Sequence, residues 1–275
     1  MSCATLPVVT VSIHAVTDLV SLLELEAVKP DAFLGGCPAK EGERIFGGQV
    51  VAQSLVAAAR TVTADALPHS LHAYFIRAGD NSQPVLFEVE RVRDGRSFTT
   101  RQVVAYQAGG AILNLIASFQ VAEEGPDVPG VRMPADVPDP ETCTPRESAP
   151  FIDDRLVLQE REPEPRLLTW MRVAEHLGDD PMVHTSAFAY LSDEDLLGAV
   201  LLPHPMSGQW DSLMAASLDH AVWYHRRLRA DEWLLFDIRG YGVARGRGVA
   251  IAQVFDCNGV HVASVAQEGL GRARR

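Results

Sequence analysis

Asp219 and His220 stand side by side, and a carboxylate next to an imidazole suggests a general base. The run Ser217–His225 reads as a strand, however, and neighbours on a strand point to opposite faces, so these two side chains form no dyad. His220, like His72, reads better as a buried, hydrogen-bonded strand histidine. Asp193, in Ser192-Asp193-Glu194-Asp195 ahead of an apolar stretch, has the pattern of a helix N-cap. Arg96 (RDGRSF) and Arg245 (GVARGRG) fall in or just after turns, where a cation is either solvated or holds an anionic ligand. Other chemistries lack their patterns. There is no G-x-S-x-G elbow, no H-E-x-x-H and no His/Cys cluster, and Gly240–Arg245 (GYGVAR) fails the dinucleotide fingerprint at its last position. Neither a metal nor a cofactor is expected.

The elements that must position these residues come in two sets. His72, Phe87, Arg96, Gly110 and Gln120 recur in order as His220, Phe236, Arg245, Gly259 and Gln267, roughly 150 positions later. A duplicated domain is the simplest reading. A lead-in helix over Val16–Leu25, capped by Thr17 or Asp18, precedes the first copy. That copy pairs a buried Ala- and Val-rich helix, Gln49–Val62, with strands at His72–Ile76, Val85–Arg93, Phe98–Gln107 and Ala111–Val121. From Glu123 to Arg166 the chain turns to Pro, Asp and Glu, as in a linker or surface crossing. The second copy has a strand at Leu167–Ala174, an apolar run Thr185–Leu191 and a short helix from Ser192 or Asp193 through Leu202. Strands follow at Ser217–His225, Trp233–Arg239, Gly248–Asp256 and His261–Gly269. The division is therefore 1–122, 123–166 and 167–275, with an α+β fold.

Composition sets the class. With 275 residues, 47% of them hydrophobic, the chain can bury one large or two moderate cores. No apolar run approaches a membrane span, and Met1–His14 lacks the basic and apolar regions of a secretory leader. Cytoplasmic residence without membrane insertion is expected. Cys3, Cys37, Cys143 and Cys257 are far apart, which fits reduced thiols. The formal net charge of −12 argues against nucleic acid as a partner, while a local Arg cluster could still hold a phosphate-bearing ligand.

The stretches IFGGQVVAQSL, LHAYFIRAGD, VRDGRSFTTRQVVAYQ and IASFQ resemble the N-terminal half of the acyl-CoA thioesterase II family. YLSDEDLL, ASLDHAVWYHR, EWLLFDI and VASVAQEGL resemble its C-terminal half, in the right order. The resemblance implies a double hotdog: two long helices, each wrapped by an antiparallel sheet, with the sheets paired into one. It further implies an acyl-CoA substrate and a catalytic set that carries over to Asp193, Ser217 and Gln267. Ser217 stands where the family more often has Thr; both supply one hydroxyl, but Ser lacks the methyl that restricts χ1.

In such a set Asp193 alone can take a proton from an attacking water near neutral pH, and Ser217 and Gln267 would hold that water in line. Oxyanion charge calls for backbone N–H groups at a helix start. The candidates are Gly47-Gly48 and the helix after Asp193, although the two glycines could equally serve close helix packing. Arg96 and Arg245 are candidates for the coenzyme A phosphates or adenosine. In the register of the repeat, Gln120 faces Gln267 and His69 faces Ser217, leaving one catalytic cleft per chain. A homo-oligomer of double-hotdog chains is expected. The alternatives are a non-catalytic acyl-CoA binding protein and a hydratase. Ala78-Gly79-Asp80-Asn81 is faintly similar to a hydratase loop, but the histidine that should follow is missing.

Overall fold

The computed structural model describes residues 16–38 and 44–274. Cys3 and the Met1–His14 segment lie outside them. After a short helix α1 (Leu19–Leu23), capped by Asp18 in a capping box with Ser21, come β1 (Leu25–Lys29) and β2 (Ala32–Gly35). Helix α2 (Gly47–Ala59) leads to β3 (Ala66–Phe75), β4 (Val85–Asp94), β5 (Phe98–Gln107) and β6 (Gly110–Val121). The stretch read as a crossing carries β7 (Thr144–Arg146) and β8 (Ile152–Glu160), both joined to the sheet. The second set is β9 (Arg166–Val173), α3 (Pro181–Leu191), α4 (Leu196–Leu201), β10 (Leu213–Ser217), β11 (Asp219–Tyr224), β12 (Leu234–Ala244), β13 (Arg247–Asp256) and β14 (His261–Ala273).

All strands form one antiparallel sheet, ordered β1-β2-β4-β5-β6-β3-β11-β14-β13-β12-β9-β8-β7, with β10 against β14 beside β11. The order is palindromic about β3·β11: β2-β4-β5-β6-β3 on one side is mirrored by β11-β14-β13-β12-β9 on the other. Joining two sheets at β3 and β11 removes two edges that would otherwise be open to strand addition. Helices α2 and α3 pack against each other and against the sheet. Helix α2 has few charges because nearly all its positions are buried, Val51, Ala52, Leu55, Ala57 and Ala58 completely. Helix α3 starts where Asp180 accepts from the Met182 N–H and Pro181 fills the first turn. This is the expected double hotdog.

Phe87 and Phe236 are matched core residues, both fully buried. Arg77 and Arg226 are matched as well. The N–H groups of Ile76 and Arg77 reach the Ile112 carbonyl as those of His225 and Arg226 reach Val262. The histidine and glutamine pairs are not matched. His72 is exposed on the outer face whereas His220 is fully buried, and Gln120 points away from the side on which Gln267 is buried. The strand pairing places Leu71 opposite the role of His220 and Ala117 opposite that of Gln267. Sequence spacing is out by an odd number of residues here, and an odd slip transfers every side chain to the other face.

Candidate active site

Helix α3 ends at Leu191 with Ser192 as its C-cap, so Asp193 follows one helix rather than capping the next. The N-cap of α4 is Asp195, held in the left-handed conformation (φ 65°) with no side-chain cap bond. Asp193 points instead at the start of α2, where the Gly48 N–H donates to its carboxylate, and Oδ1 is buried with no hydrogen-bond partner among the described residues. Burial and, second, the neighbouring Glu194 push its pKa up to about 8, partly offset by the Gly48 N–H.

The close approach explains both glycines. A Cβ at Gly47 would lie 2.6 Å from Asp193 Oδ2 and 2.9 Å from the Phe75 ring; one at Gly48 would lie 2.4 Å from the Tyr190 carbonyl oxygen. Gly47 makes room for the carboxylate and Gly48 for the backbone of α3. The uncapped end of α2 therefore faces Asp193, and Phe46 at its N-cap supplies no side-chain acceptor.

Ser217 ends β10. Leu218 then breaks the strand: its N–H goes to the Glu268 carbonyl, and its own carbonyl accepts from Phe75. Behind Ser217 lies Gln267, 1% exposed, whose Nε2 donates to Ser217 Oγ at 2.6 Å. The Gln267 Oε1 accepts from His220 Nδ1 at 2.9 Å, and His220 Nε2 lies 2.9 Å from the Ser192 hydroxyl. An amide oxygen only accepts, so the imidazole carries its proton on Nδ1 and takes the Ser192 proton at Nε2. Burial lowers the His220 pKa to about 4, which keeps the ring neutral. Its 3.8 Å approach to Asp193 Oδ1 is therefore a contact of neutral groups near pH 7, not an ion pair. Asp219, on the opposite face, accepts from the Glu268 N–H at 2.6 Å, so the adjacent pair is no dyad.

Asp193, Ser217 and Gly47 line one cavity of about 510 Å3 whose walls include Ile45, Phe46, Val50, Phe75 and Leu197, with Arg44 and Arg77 at its edge. Gln267 is not in its lining but backs Ser217. Glu194 and Asp195 also face it. Burial raises Glu194 to about 7 and Asp195 to about 6, and Arg146 pairs with both Asp195 and Asp154. The structure brings Asp193, Ser217, Gln267, Gly47 and Gly48 together. It leaves Arg96 and Arg245 exposed at the β4–β5 and β12–β13 turns, outside this lining. A larger concavity of about 750 Å3, bounded by Arg161–Arg166 and Arg239–Gly242, contains none of the candidate residues. Among the described residues no cluster of three metal-ligand side chains occurs.

The second cleft, at the start of α3, is built from the matched positions. Leu71, Ala117 and Pro68 stand where the first has His220, Gln267 and Ser217. Thr61 lies two residues past α2, as Asp193 lies two past α3. Arg101 matches Ala250, and its buried guanidinium donates to Thr61 Oγ1 (2.7 Å), the Thr61 carbonyl (2.9 Å) and the Arg93 carbonyl (3.0 Å) and pairs with Asp94. His69 and Gln120, which the repeat set against Ser217 and Gln267, line a hollow of about 370 Å3 that also takes in Pro68 and Pro181, with His69 bonded to Ser118.

Fold and site together define a double-hotdog protein of the thioesterase class. Residues 38–120 match the acyl-CoA thioesterase N-terminal domain and residues 123–270 the acyl-CoA thioesterase C-terminal domain. The chain belongs to the acyl-CoA thioesterase family. It is 35% identical to human acyl-coenzyme A thioesterase 8 over 92% of this chain and 88% of that one. Acyl-CoA thioesterase 2 of Haemophilus influenzae is 31% identical over 93% of this chain and 97% of its own. A solved acyl-CoA thioesterase II from Mycobacterium marinum superposes with a TM-score of 0.78 at 38% identity, covering 92% of this chain and 96% of that one.

The family resemblance names Asp193, Ser217 and Gln267. It misses the link from Ser192 through His220 to Gln267, and Arg101. His220 carried a signal in the strand parity of Asp219-His220, whereas Arg101 had none.

Proposed function

We propose that this chain hydrolyses fatty acyl-CoA to a free acid and coenzyme A by direct attack of water, with Asp193 as the base. The observation that carries this is the unpartnered, buried Asp193 Oδ1 in the same apolar-walled cavity as the Ser217 hydroxyl. In its ionised form Asp193 takes a proton from the water as that water attacks the thioester carbonyl carbon. Ser217, its oxygen already engaged by Gln267, keeps its own O–H to align the water or carbonyl. The carbonyl oxygen gains negative charge beside the uncapped N-terminus of α2, where the Gly47 N–H and the helix dipole stabilise it. Collapse of the tetrahedral intermediate breaks the C–S bond, and the Asp193 proton passes to the departing thiolate.

Arg44 and Arg77 at the cavity edge favour an anionic substrate, and the apolar walls favour an acyl chain. Residues 1–122 and 167–275 act as the two units, with 123–166 between them. No helix of the described residues is long and apolar enough to cross a membrane, in keeping with cytoplasmic work. A homo-oligomer of such chains is favoured by exposed Tyr74, Ile116 and Trp223, which share the outer face of the sheet around β3 and β11.

Thiol release from a series of acyl-CoAs, followed with a thiol-reactive dye, tests the function. Turnover is expected. Binding of acyl-CoA without thiol release would replace hydrolysis with the non-catalytic reading.

A further inference from the structure

We infer that His220 is a positioning residue: its neutral imidazole, anchored by the Ser192 hydroxyl, fixes which end of the Gln267 amide faces Ser217. A glutamine amide has two nearly isosteric ends, one donating and one accepting, and packing alone barely distinguishes them. Here the distinction is made by partners. His220 Nδ1–H donates to Gln267 Oε1 at 2.9 Å, which leaves Nε2 aimed at Ser217 Oγ at 2.6 Å. The imidazole in turn needs its tautomer held, and Ser192 Oγ at 2.9 Å from Nε2 does so by donating; its other acceptor in reach is the Ala189 carbonyl at 3.2 Å.

Every member of this chain is buried until it reaches Ser217 at the cavity wall: Ser192 and His220 are fully enclosed and Gln267 nearly so. Bulk solvent does not reach these links in the folded chain. The groups facing the imidazole are Asp193 from the end of α3, Ser192 beside it and Gln267 from β14. A flipped amide would present a donor to Nδ1 and an acceptor to Ser217, turning the Ser217 proton inward, away from the reacting water. The second cleft has lost the device as a unit, with Leu71 and Ala117 at the positions of His220 and Gln267. His220 touches neither water nor substrate in this scheme, and the role rests on the hydrolytic reading above.

The test compares His220→Asn, whose amide N–H reproduces the Nδ1 donor, with His220→Leu, which copies the residue of the first unit. His220→Leu should lower kcat about ten- to hundredfold, the loss expected of one buried hydrogen bond, with KM within about threefold. His220→Asn should retain kcat within about fivefold. Equal kcat in the two variants, whether both impaired or both near wild type, would overturn the assignment, as would a loss confined to KM. Should His220→Leu fail to fold, Ser192→Ala keeps the ring and removes only its anchor. Nitrogen-15 spectra should show Nδ1 protonated in wild type and a mixture of tautomers in Ser192→Ala; an Nε2-protonated wild-type ring would contradict the proposal. Those spectra require no turnover, so wild-type protein without thiol release would sink the hydrolytic reading while leaving the hydrogen-bond assignment separately decided.

Discussion

The two clefts of this chain share one architecture, and five matched positions carry the difference in their chemistry. Around the start of α2 stand Asp193, Ser217, His220, Gln267 and the small Ala250; around the start of α3 the matched positions hold Thr61, Pro68, Leu71, Ala117 and Arg101. The helices, the strand order and the backbone bonds at Arg77 and Arg226 are kept in both. A hotdog unit thus supplies a place where a helix end meets a strand break, and the chemistry depends on what is set there. In one cleft a carboxyl group with one unpartnered oxygen is held in a costly buried state. In the other an arginine has filled the interior and satisfied the carbonyls that surround it.

The comparison breaks most sharply at Asp193. Replacing it with Asn should lower kcat by roughly 10²–10⁴-fold without trapping an acyl-enzyme, because it removes the carboxylate that meets the start of α2 in the same cavity as Ser217. A residual rate near half of wild type would mean that the α3 cleft also works. The same variant should be the more stable protein. The folded state holds the Asp193 proton up to about pH 8, whereas the unfolded chain releases it near 4, so wild-type stability declines as pH rises through that window. The melting-temperature gain of Asp193→Asn should therefore grow from pH 4 to pH 8, and a gain independent of pH would contradict this origin.

Ser217→Ala comes next. Losing one hydrogen bond to the water costs on the order of 1–3 kcal/mol, about ten- to hundredfold in kcat. If Ser217 were a nucleophile, its alanine variant would be the worse of the two, and mass spectrometry of the working enzyme would show an added acyl group. A smaller effect separates the buried acids. As the base must be ionised, kcat/KM should rise with pH around a midpoint near 8. Glu194→Gln removes the like charge beside it and should move that midpoint down, by on the order of one pH unit. An unmoved profile would assign the titration to another group.

Arg101→Ala should leave kcat unchanged within about twofold. It strips donors from the Thr61 and Arg93 carbonyls and should cost about 2–4 kcal/mol, read as a lower melting temperature. New activity from the opened cleft would show that the plug, rather than the missing Asp, Ser and Gln, had silenced it.

The expected strand at Phe98–Gln107 coincides with β5, and Val85–Arg93 falls one residue short of β4, because alternation and flanking turn residues speak directly of strands. The start of α3 is encoded in Asp180-Pro181, a capping residue and a first-turn proline, four residues ahead of the apolar run that begins at Thr185. The strands β7 and β8 are short and lie among prolines and acids, so local composition concealed their place in the sheet. In the site, Asp193, Ser217 and Gln267 were visible through family motifs. The pairing of His72 with His220 and of Gln120 with Gln267 misled, since identity at a spacing does not register the parity of a strand. Arg101 was hidden because its role depends on a cavity that only folding creates.

The most direct test of a single working cleft is the stoichiometry of a non-hydrolysable thioether analogue of acyl-CoA, measured by calorimetric titration of the wild-type chain. One equivalent per chain is predicted, with its affinity weakened by a bulky substitution such as Gly47→Val, since even a Cβ there would meet Asp193 and Phe75. Two equivalent sites per chain, or one site indifferent to Gly47→Val, would contradict the account.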